Sequence, residues 1–167
     1  ADGRVIRPEN ITKFTNSNDN LTFGDEDNII HALDGDDTIY AGGGNDILDG
    51  GKGNDTLYGE KGNDTYLFGR GDGNDIIDDY DGNDTLEFKD GITPDDIVIY
   101  YENNQKYNLI VALKEDGKSL NELSDKVILK NWYSYSYRIE NLKFADGTIW
   151  NVSEIQKHIN TDGNDII

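Results

Sequence analysis

The sequence predicts an all-β fold in which a coil of short parallel strands is followed by a small β-rich domain that ends in a short helix. Three observations support this prediction. A nine-residue pattern recurs from residue 14 to residue 87, its sixth position is almost always aspartate, and from Phe88 onward β-branched and aromatic runs replace it. A period of nine suits a unit that consists of a six-residue turn and a three-residue strand.

The clearest repeat, Gly50 to Tyr58, reads G-G-K-G-N-D-T-L-Y. Glycine reaches φ > 0 without a Cβ clash, so the glycine-rich part suits the turn. Side chains alternate along a strand, so in the strand part only Leu57 points inward. The other units begin at Phe23, Ala32, Ala41, Gly59 and, after the two-residue insertion Phe68-Gly69, at Arg70 and Asp79; a blurred unit begins at Phe14. The eighth-position residues should form a narrow core: Leu21, Ile30, Ile39, Leu48, Leu57, Tyr66, Ile77 and Leu86.

Two units complete one coil, so residues eighteen apart should lie directly over each other. Asp37 then lies over Asp55, and Asp46 lies over Asp64. If the insertion is a bulge outside the coil, Asp55 lies over Asp75 and Asp64 over Asp84. The sixth positions read Asp19, Asn28, Asp37, Asp46, Asp55, Asp64, Asp75 and Asp84.

Stacked carboxylates repel each other unless a cation lies between them, and Ca²⁺ takes 6–8 oxygen ligands, including carboxylates and backbone carbonyls. The sixth-position candidates are Asn28, Asp37, Asp46, Asp55, Asp64, Asp75 and Asp84. Turn carbonyls are expected from Gly35, Gly42, Gly44, Gly51, Gly53, Gly62, Gly73 and Gly82. Asn28 is neutral, so its site should be weaker or empty. We expect about four to six ions in all. Zinc is disfavoured because the chain has no cysteine and its two histidines, His31 and His158, lie far apart in sequence.

The repeat resembles the RTX calcium-binding nonapeptide G-G-x-G-x-D-x-U-x, where U is a large aliphatic residue. The resemblance implies a calcium-loaded parallel β-roll, a right-handed β-helix of nonapeptide repeats, with about four turn carbonyls beside two aspartates at each ion. Strings of Gly-Asn-Asp also occur in flexible linkers, but a linker has no reason to place an aliphatic residue two positions after each aspartate. The two interpretations apply in turn: unfolded without calcium, and folded by calcium binding.

The second half predicts strands at Ile97–Tyr101, 107–113, 126–132, 137–144 and 148–150, with a hairpin turn at 103–105. A short helix should follow, with Asn151 as N-cap and Glu154 at N3. Three segments resemble the haemolysin-type calcium-binding-protein-related domain. They are T-P-D-D-I (93–97), V-I-L-K-N-W (127–132) and I-E-N-L-K-F-A-D-G-T (139–148).

The two ends of the chain echo each other. Ala145-Asp146-Gly147 matches Ala1-Asp2-Gly3, and a new nonapeptide begins in residues 163–167. We expect one period, about 144 residues, of a tandem array whose neighbouring repeats contact this one. The expected segments are 1–13 (end of the preceding period), 14–87 (roll), 88–160 (cap and spacer, covering the open sheet end) and 161–167 (next array).

The net charge of −19 argues against nucleic acid as a partner and against adhesion to anionic membranes. No apolar run is long enough to insert in a membrane. The absence of cysteine fits an extracellular protein that uses metal in place of disulfides. No G-x-S-x-G or H-E-x-x-H motif occurs, so we expect no enzyme. A carboxylate pair for glycosidic chemistry stays open.

The resemblance implies a segment of a large bacterial adhesin or toxin exported by type I secretion. Such a segment passes the secretion machinery unfolded and folds in extracellular calcium, with the affinity typical of extracellular modules, about 10⁻⁴–10⁻³ M. The alternative is an accessory carbohydrate-binding module of a secreted polysaccharide-acting enzyme. It depends on whether Trp132, Tyr133, Tyr135 and Tyr137 form a core, as aromatic residues usually do, or an exposed glycan patch.

Overall fold

A computed structural model describes residues 15–89, 91–102 and 107–160 of the 167-residue chain. The regular structure in these ranges consists of two sheets, one short α-helix and short 3₁₀ helices at Pro94–Asp96, Leu120–Glu122 and Tyr135–Tyr137. The predicted segment 1–13, the start of the blurred repeat at Phe14, the turn at 103–105 and the new nonapeptide at 161–167 lie outside them. The prediction of an all-β fold with a parallel roll and a β-rich end is confirmed.

The first half forms the roll, in which successive strands alternate between the two sheets. Odd-numbered strands pair in parallel in one sheet and even-numbered strands in the other, so the chain completes one coil for every two strands. The strands are β1 (Asn20–Thr22), β2 (Ile29–His31), β3 (Thr38–Tyr40), β4 (Ile47–Asp49), β5 (Thr56–Tyr58), β6 (Thr65–Phe68), β7 (Asn74–Ile77) and β8 (Asp84–Phe88).

The strand register follows the sequence period. Ile39 lies opposite Leu57, eighteen residues on, whereas Leu57 lies opposite Ile77, twenty residues on. The predicted stacking across the insertion is therefore confirmed. All eight inward side chains at the eighth repeat position are buried. Full burial of one such aliphatic side chain contributes about 1.5–3 kcal/mol.

The stacking across the insertion was predicted on the condition that the insertion is a bulge outside the coil, but the structure reaches this stacking with Phe68 inside a strand. Phe68 extends β6 by one residue, is buried, and lies opposite Phe88 at the end of β8. Phe88 in turn stacks on Phe144, with ring centroids 4.9 Å apart. Because Phe68 is large and apolar, the extra length is more stable as buried strand than as a solvent-exposed loop. The insertion thus widens the core where the second half begins.

The second half continues both sheets. In the first sheet β11 pairs in parallel with β7, and β10 and β9 follow it in antiparallel order. In the second sheet β12 pairs in parallel with β8 and antiparallel with β13. The bounds are β9 (Ile97–Tyr101), β10 (Leu109–Leu113), β11 (Lys126–Leu129), β12 (Ile139–Lys143), β13 (Ile149–Asn151), α1 (Val152–Lys157) and β14 (Ile159–Asn160).

One hydrophobic cluster extends from Leu21 in the roll to Ile155 in α1. Asn151 caps α1 as predicted, because its side-chain oxygen accepts a hydrogen bond from the backbone N–H of Glu154 (3.1 Å). The Glu154 carboxylate binds Lys157 (2.7 Å). The predicted third strand is too long: it ends at Leu129, and Trp132 lies in the turn that follows.

The aromatic cluster after β11 divides into a core residue and surface residues. Trp132 is buried and donates from Nε1 to the carbonyl of Ile139 (2.8 Å). Tyr133, Tyr135 and Tyr137 are exposed, with 55%, 86% and 40% of their surface accessible. The core interpretation is therefore right for Trp132 and wrong for the three tyrosines.

Candidate metal sites

Six aspartates at the sixth repeat position form what we call the aspartate ladder. They are Asp37, Asp46, Asp55, Asp64, Asp75 and Asp84, and all six are buried. In each, Oδ1 accepts a hydrogen bond from the backbone N–H of the sixth-position residue one coil earlier. The pairs are Asp19–Asp37 (2.7 Å), Asn28–Asp46 (2.6 Å), Asp37–Asp55 (2.8 Å), Asp46–Asp64 (2.7 Å), Asp55–Asp75 (3.0 Å) and Asp64–Asp84 (2.9 Å).

The second carboxylate oxygen distinguishes four members of the ladder. Oδ2 is buried without a hydrogen-bond partner in Asp37, Asp46, Asp55 and Asp64. A buried acceptor left unsatisfied costs about 1–3 kcal/mol, and more when it carries charge. Four such atoms in two stacked columns require a positive partner if the carboxylates are ionised.

Burial also changes the acidity of the ladder. It raises the pKa of Asp46 and of Asp55 to about 6, and the pKa of Asp75 to about 8. Hydrogen bonds from the preceding coil lower these pKa values in part, while neighbouring carboxylates raise them further. A cation beside each carboxylate would counter the cost of burying its charge.

The turns pack too closely for side chains. Gly62 has φ of 134°, and a Cβ on it would overlap the carbonyl oxygen of Gly44 in the preceding coil. Neighbouring turns also bond to each other, as where Lys61 N–H donates to the carbonyl of Gly42 (3.0 Å). A carbonyl oxygen has two lone pairs, so that of Gly42 keeps one for another partner.

The donor set of the ladder is composed of oxygen atoms, which suits calcium. Neither histidine belongs to it: His31 Nδ1 lies 3.3 Å from Asp49 Oδ2, and the His158 ring stacks on Trp150. Asn28, the neutral sixth-position residue, donates its backbone N–H to Asp46, and its side-chain amide donates to the carbonyl of Glu26. The residues present therefore fit the hard cation that the repeat pattern suggests.

Comparison with protein families agrees with this geometry. The family model described as RTX calcium-binding nonapeptide repeat (4 copies) matches residues 23–57, 42–72 and 71–92. These are RTX calcium-binding repeats. The haemolysin-type calcium binding protein related domain matches residues 108–154, after the RTX repeats. A search of curated proteins gives no match. The descriptions of both matched families refer to calcium binding, and proteins with RTX repeats are typically secreted.

The last RTX repeat departs from the pattern at its first position, which the sequence analysis missed. Asp79 is buried there, and carboxylate oxygens of Asp79, Asp64 and Asp84 lie within 4.8 Å of one another. Asp79 Oδ2 accepts from the hydroxyl of Tyr66 (2.7 Å), which is the aromatic residue at an otherwise aliphatic eighth position. The available signal was these two departures from the repeat consensus.

Glu140 continues one column of the aspartate ladder into the second half, and the sequence reasoning missed this residue too. Its Oε2 accepts from the backbone N–H of Asp84 (2.8 Å), as each aspartate does for the coil before it. In the other column the position beside Asp75 is taken by Val127. The segment that includes Glu140 was recognised only as a domain signature, so its contact could not be inferred.

A second ladder, of fifth-position residues, runs along the surface of the RTX turns. Asn45 Oδ1 accepts from both the backbone N–H (2.9 Å) and the side-chain amide (3.0 Å) of Asn63. Asn63 Oδ1 accepts from Asn83 N–H (3.0 Å), and Asn83 Oδ1 accepts from Asn141 Nδ2 (2.9 Å) in the second half. The recurrence of asparagine at the fifth position of most repeats was the signal for it.

Several lysines pair with acidic residues of the roll, and Lys89 contacts two of these carboxylates. Lys89 Nζ lies 2.6 Å from Asp49 Oδ1 and 2.8 Å from Asp72 Oδ2, and its side chain is 32% exposed. Burial alone would lower the pKa of Lys89, but the two carboxylates raise it above its usual value.

Of the described residues, none belongs to a helix long and apolar enough to cross a membrane.

Proposed function

We propose that this chain is a calcium-induced folding module of a large bacterial RTX protein, an adhesin or toxin exported by type I secretion. The observation that carries the proposal is the set of four buried carboxylate oxygens without partners in the aspartate ladder. The expected ligands are the ladder aspartates and the turn carbonyls of the glycines named from the sequence. Bound Ca²⁺ would supply the positive charge that the buried carboxylates lack.

Without calcium the module must bury several carboxylates at neutral pH, and this opposes folding because ionised groups are costly to bury. The net charge of −19 adds repulsion across the whole chain. An unfolded chain suits passage through an export channel, and calcium binding outside the cell then contributes folding free energy. We propose accordingly that the chain is secreted and folds outside the cell.

Residues 88–160 would cap the roll that residues 14–87 form. Support comes from strands β11 and β12, which pair with the last roll strands β7 and β8. An uncovered end of both sheets would present free backbone groups for edge-to-edge association. In a tandem array, the same segment would separate one roll from the next.

Far-UV circular dichroism during a calcium titration tests the folding proposal, with magnesium as the control. A cooperative coil-to-β transition in calcium at about 10⁻⁴–10⁻³ M, absent at equal magnesium, is expected. A fully folded spectrum in metal-depleted buffer would contradict calcium-induced folding. An equal response to magnesium would contradict the assignment to calcium.

A second candidate function is carbohydrate binding, and one observation favours it. Tyr133, Tyr135 and Tyr137 are exposed on the second half, where aromatic faces are available to stack on sugars. The excess of acidic over basic residues argues for a neutral glycan over an anionic one. Affinity electrophoresis in gels that contain neutral polysaccharides tests this candidate: retardation of the wild type that is lost in Tyr135→Ala would support it.

A further inference from the structure

We propose that Asp79 supplies a third carboxylate to a calcium site that it forms with Asp64 and Asp84, and that Tyr66 positions it there. The inference rests on the proposed calcium-binding function and distinguishes one site from the rest. In each of the other ladder pairs, the repeat that supplies the later aspartate has alanine, glycine or arginine at its first position. Among the residues that the structure describes, only these three acidic side chains bring a carboxylate oxygen each within 4.8 Å of one another.

The carboxylates of Asp64, Asp79 and Asp84 lie close to one another. All three residues are buried, and one carboxylate oxygen from each lies within 4.8 Å of the other two. Asp64 Oδ2 is among the buried atoms without a hydrogen-bond partner. A Cβ added to Gly59 would overlap both this oxygen and the Tyr66 hydroxyl, so the free oxygen of Asp64 lies on the side where Tyr66 holds Asp79.

Hydrogen bonds to both carboxylate oxygens hold Asp79 in place. Its Oδ1 accepts two backbone hydrogen bonds, from Glu60 N–H (2.8 Å) and Tyr80 N–H (2.8 Å). Its Oδ2 accepts only the Tyr66 hydroxyl among the hydrogen bonds that the structure gives it. A carboxylate has about four lone-pair sites, so Oδ2 keeps one for a cation.

The Tyr66 hydroxyl is itself fixed from the other side. It accepts a hydrogen bond from Gly59 N–H (2.8 Å) and donates to Asp79 (2.7 Å). The ring lies in the hydrophobic core, opposite Leu86. Tyr66 is therefore a positioning residue: it joins the core of the roll to the orientation of one carboxylate. Partners that orient a metal ligand typically contribute 10–100-fold to metal affinity.

A site with three carboxylates should bind calcium more tightly than the two-carboxylate sites, since affinity rises with the ligand charge. It lies where the roll meets the second half, because Asp84 N–H also donates to Glu140. The structure thus assigns the first calcium ion bound during a titration to the place where the RTX repeats meet the second half of the chain.

Isothermal titration calorimetry of the whole chain with CaCl₂ tests the proposal. Asp79→Asn should weaken the tightest binding event at least about tenfold and leave the later events in place. The matched control is Asp81→Asn, which removes the same charge two residues away at an exposed position whose φ of 73° suits asparagine. Equal isotherms for both variants, or tighter binding by Asp79→Asn, would overturn the proposal.

Tyr66→Phe keeps the three carboxylates and removes only the positioning hydroxyl. We expect the same tightest event to weaken by about tenfold, whereas Tyr58→Phe should leave it unchanged. A general loss of stability would instead weaken all binding events together. No calcium binding by the wild-type chain would contradict the proposed function itself, a result distinct from normal binding that Asp79→Asn does not alter.

A measurement on the wild type guards against a variant that fails to fold. Anomalous scattering from a crystal grown in CaCl₂ should place a peak about 2.3–2.6 Å from oxygens of Asp64, Asp79 and Asp84. A peak between Asp64 and Asp84 with both Asp79 oxygens beyond that distance would overturn the proposal.

Discussion

The backbone N–H of Asp37 donates to Oδ1 of Asp55 across 2.8 Å, while Oδ2 of the same Asp55 carboxylate is buried without a partner. One oxygen therefore connects two coils of the roll, and the other is available to a ligand. This division explains why an aspartate suits the position, since asparagine would give the hydrogen bond without the charge.

Asp55→Asn should separate these two roles. The variant keeps a side-chain oxygen for Asp37 N–H but loses the charge, so the calcium midpoint in circular dichroism should rise about tenfold or more. In metal-depleted buffer it should be no less stable than the wild type, because a neutral amide costs less to bury than a carboxylate.

The matched control for that variant is Asp36→Asn. Asp36 is exposed, its Oδ1 accepts from Asn54 N–H (2.8 Å), and asparagine occupies the same fifth position in several other repeats. We expect a change within about 0.5 kcal/mol, as is usual for surface positions. Equal midpoints for the two variants would contradict a ligand role for Asp55.

Acidity should act in opposite directions with and without calcium. Burial raises the pKa of Asp46 and Asp55 to about 6 and that of Asp75 to about 8, from 3.8. A raised pKa means that the folded state holds protons which the unfolded chain has released. The contribution of these protonated aspartates to the free energy of unfolding is full below pH 3.8 and is lost as the pH rises through about 6 to 8.

In buffer depleted of metal by a chelating resin, the β-signal should therefore be stronger at pH 5 than at pH 8. With calcium present, protons compete for the same oxygens. The calcium concentration at the folding midpoint should therefore rise as the pH is lowered from 8 to 5. Circular dichroism at both pH values measures both effects. A calcium midpoint that is independent of pH over this interval would argue against binding through these aspartates.

Gly62→Ala should disrupt the stacking of the turns. Its φ of 134° is unfavourable for alanine, and the added Cβ would overlap the Gly44 carbonyl. We expect a loss of more than about 1–2 kcal/mol in the free energy of unfolding, measured with urea in saturating calcium. Gly24→Ala is the control, because no atom lies within 4 Å of the added Cβ; a similar loss there would mean that the close approach is not the cause.

Trp132→Ala should show how far the roll depends on the second half. Removal of a buried tryptophan costs about 3–5 kcal/mol, and its Nε1–H bond to Ile139 fixes the start of β12 beside the roll strand β8. Both the urea midpoint and the calcium affinity should fall. Tyr135→Ala, at a position 86% exposed, should change neither; an unchanged calcium affinity in Trp132→Ala would contradict capping by this half.

The sequence period predicted the strands, the inward residues and the ladder because each depends only on spacing. Leu57 and Ile77 are buried and paired as their repeat positions require. The place of Phe68 stayed open because the period alone does not say whether extra residues join a strand or leave it. The cap of α1 was predictable because it depends on residues three apart.

Contacts between distant coils were not predictable in the same way. Tyr66 and Asp79 are thirteen residues apart and meet because a core side chain reaches back into a turn, which no periodic rule encodes. The pairing of β11 with β7 joins a periodic segment to one without a period, so sequence patterns gave no register for it.

Lys89 gives the roll a cation that dialysis cannot remove. Its ammonium group neutralises Asp49 and Asp72 through a covalently attached side chain, whereas the calcium proposed for the aspartate ladder would exchange with the solvent. A chelator would therefore remove the proposed calcium from the aspartate ladder but would leave this contact in place. Of the acidic surface on the roll, the part beside the inserted Phe68-Gly69 keeps its counter-charge at every calcium concentration, and residual order in metal-free conditions should concentrate there.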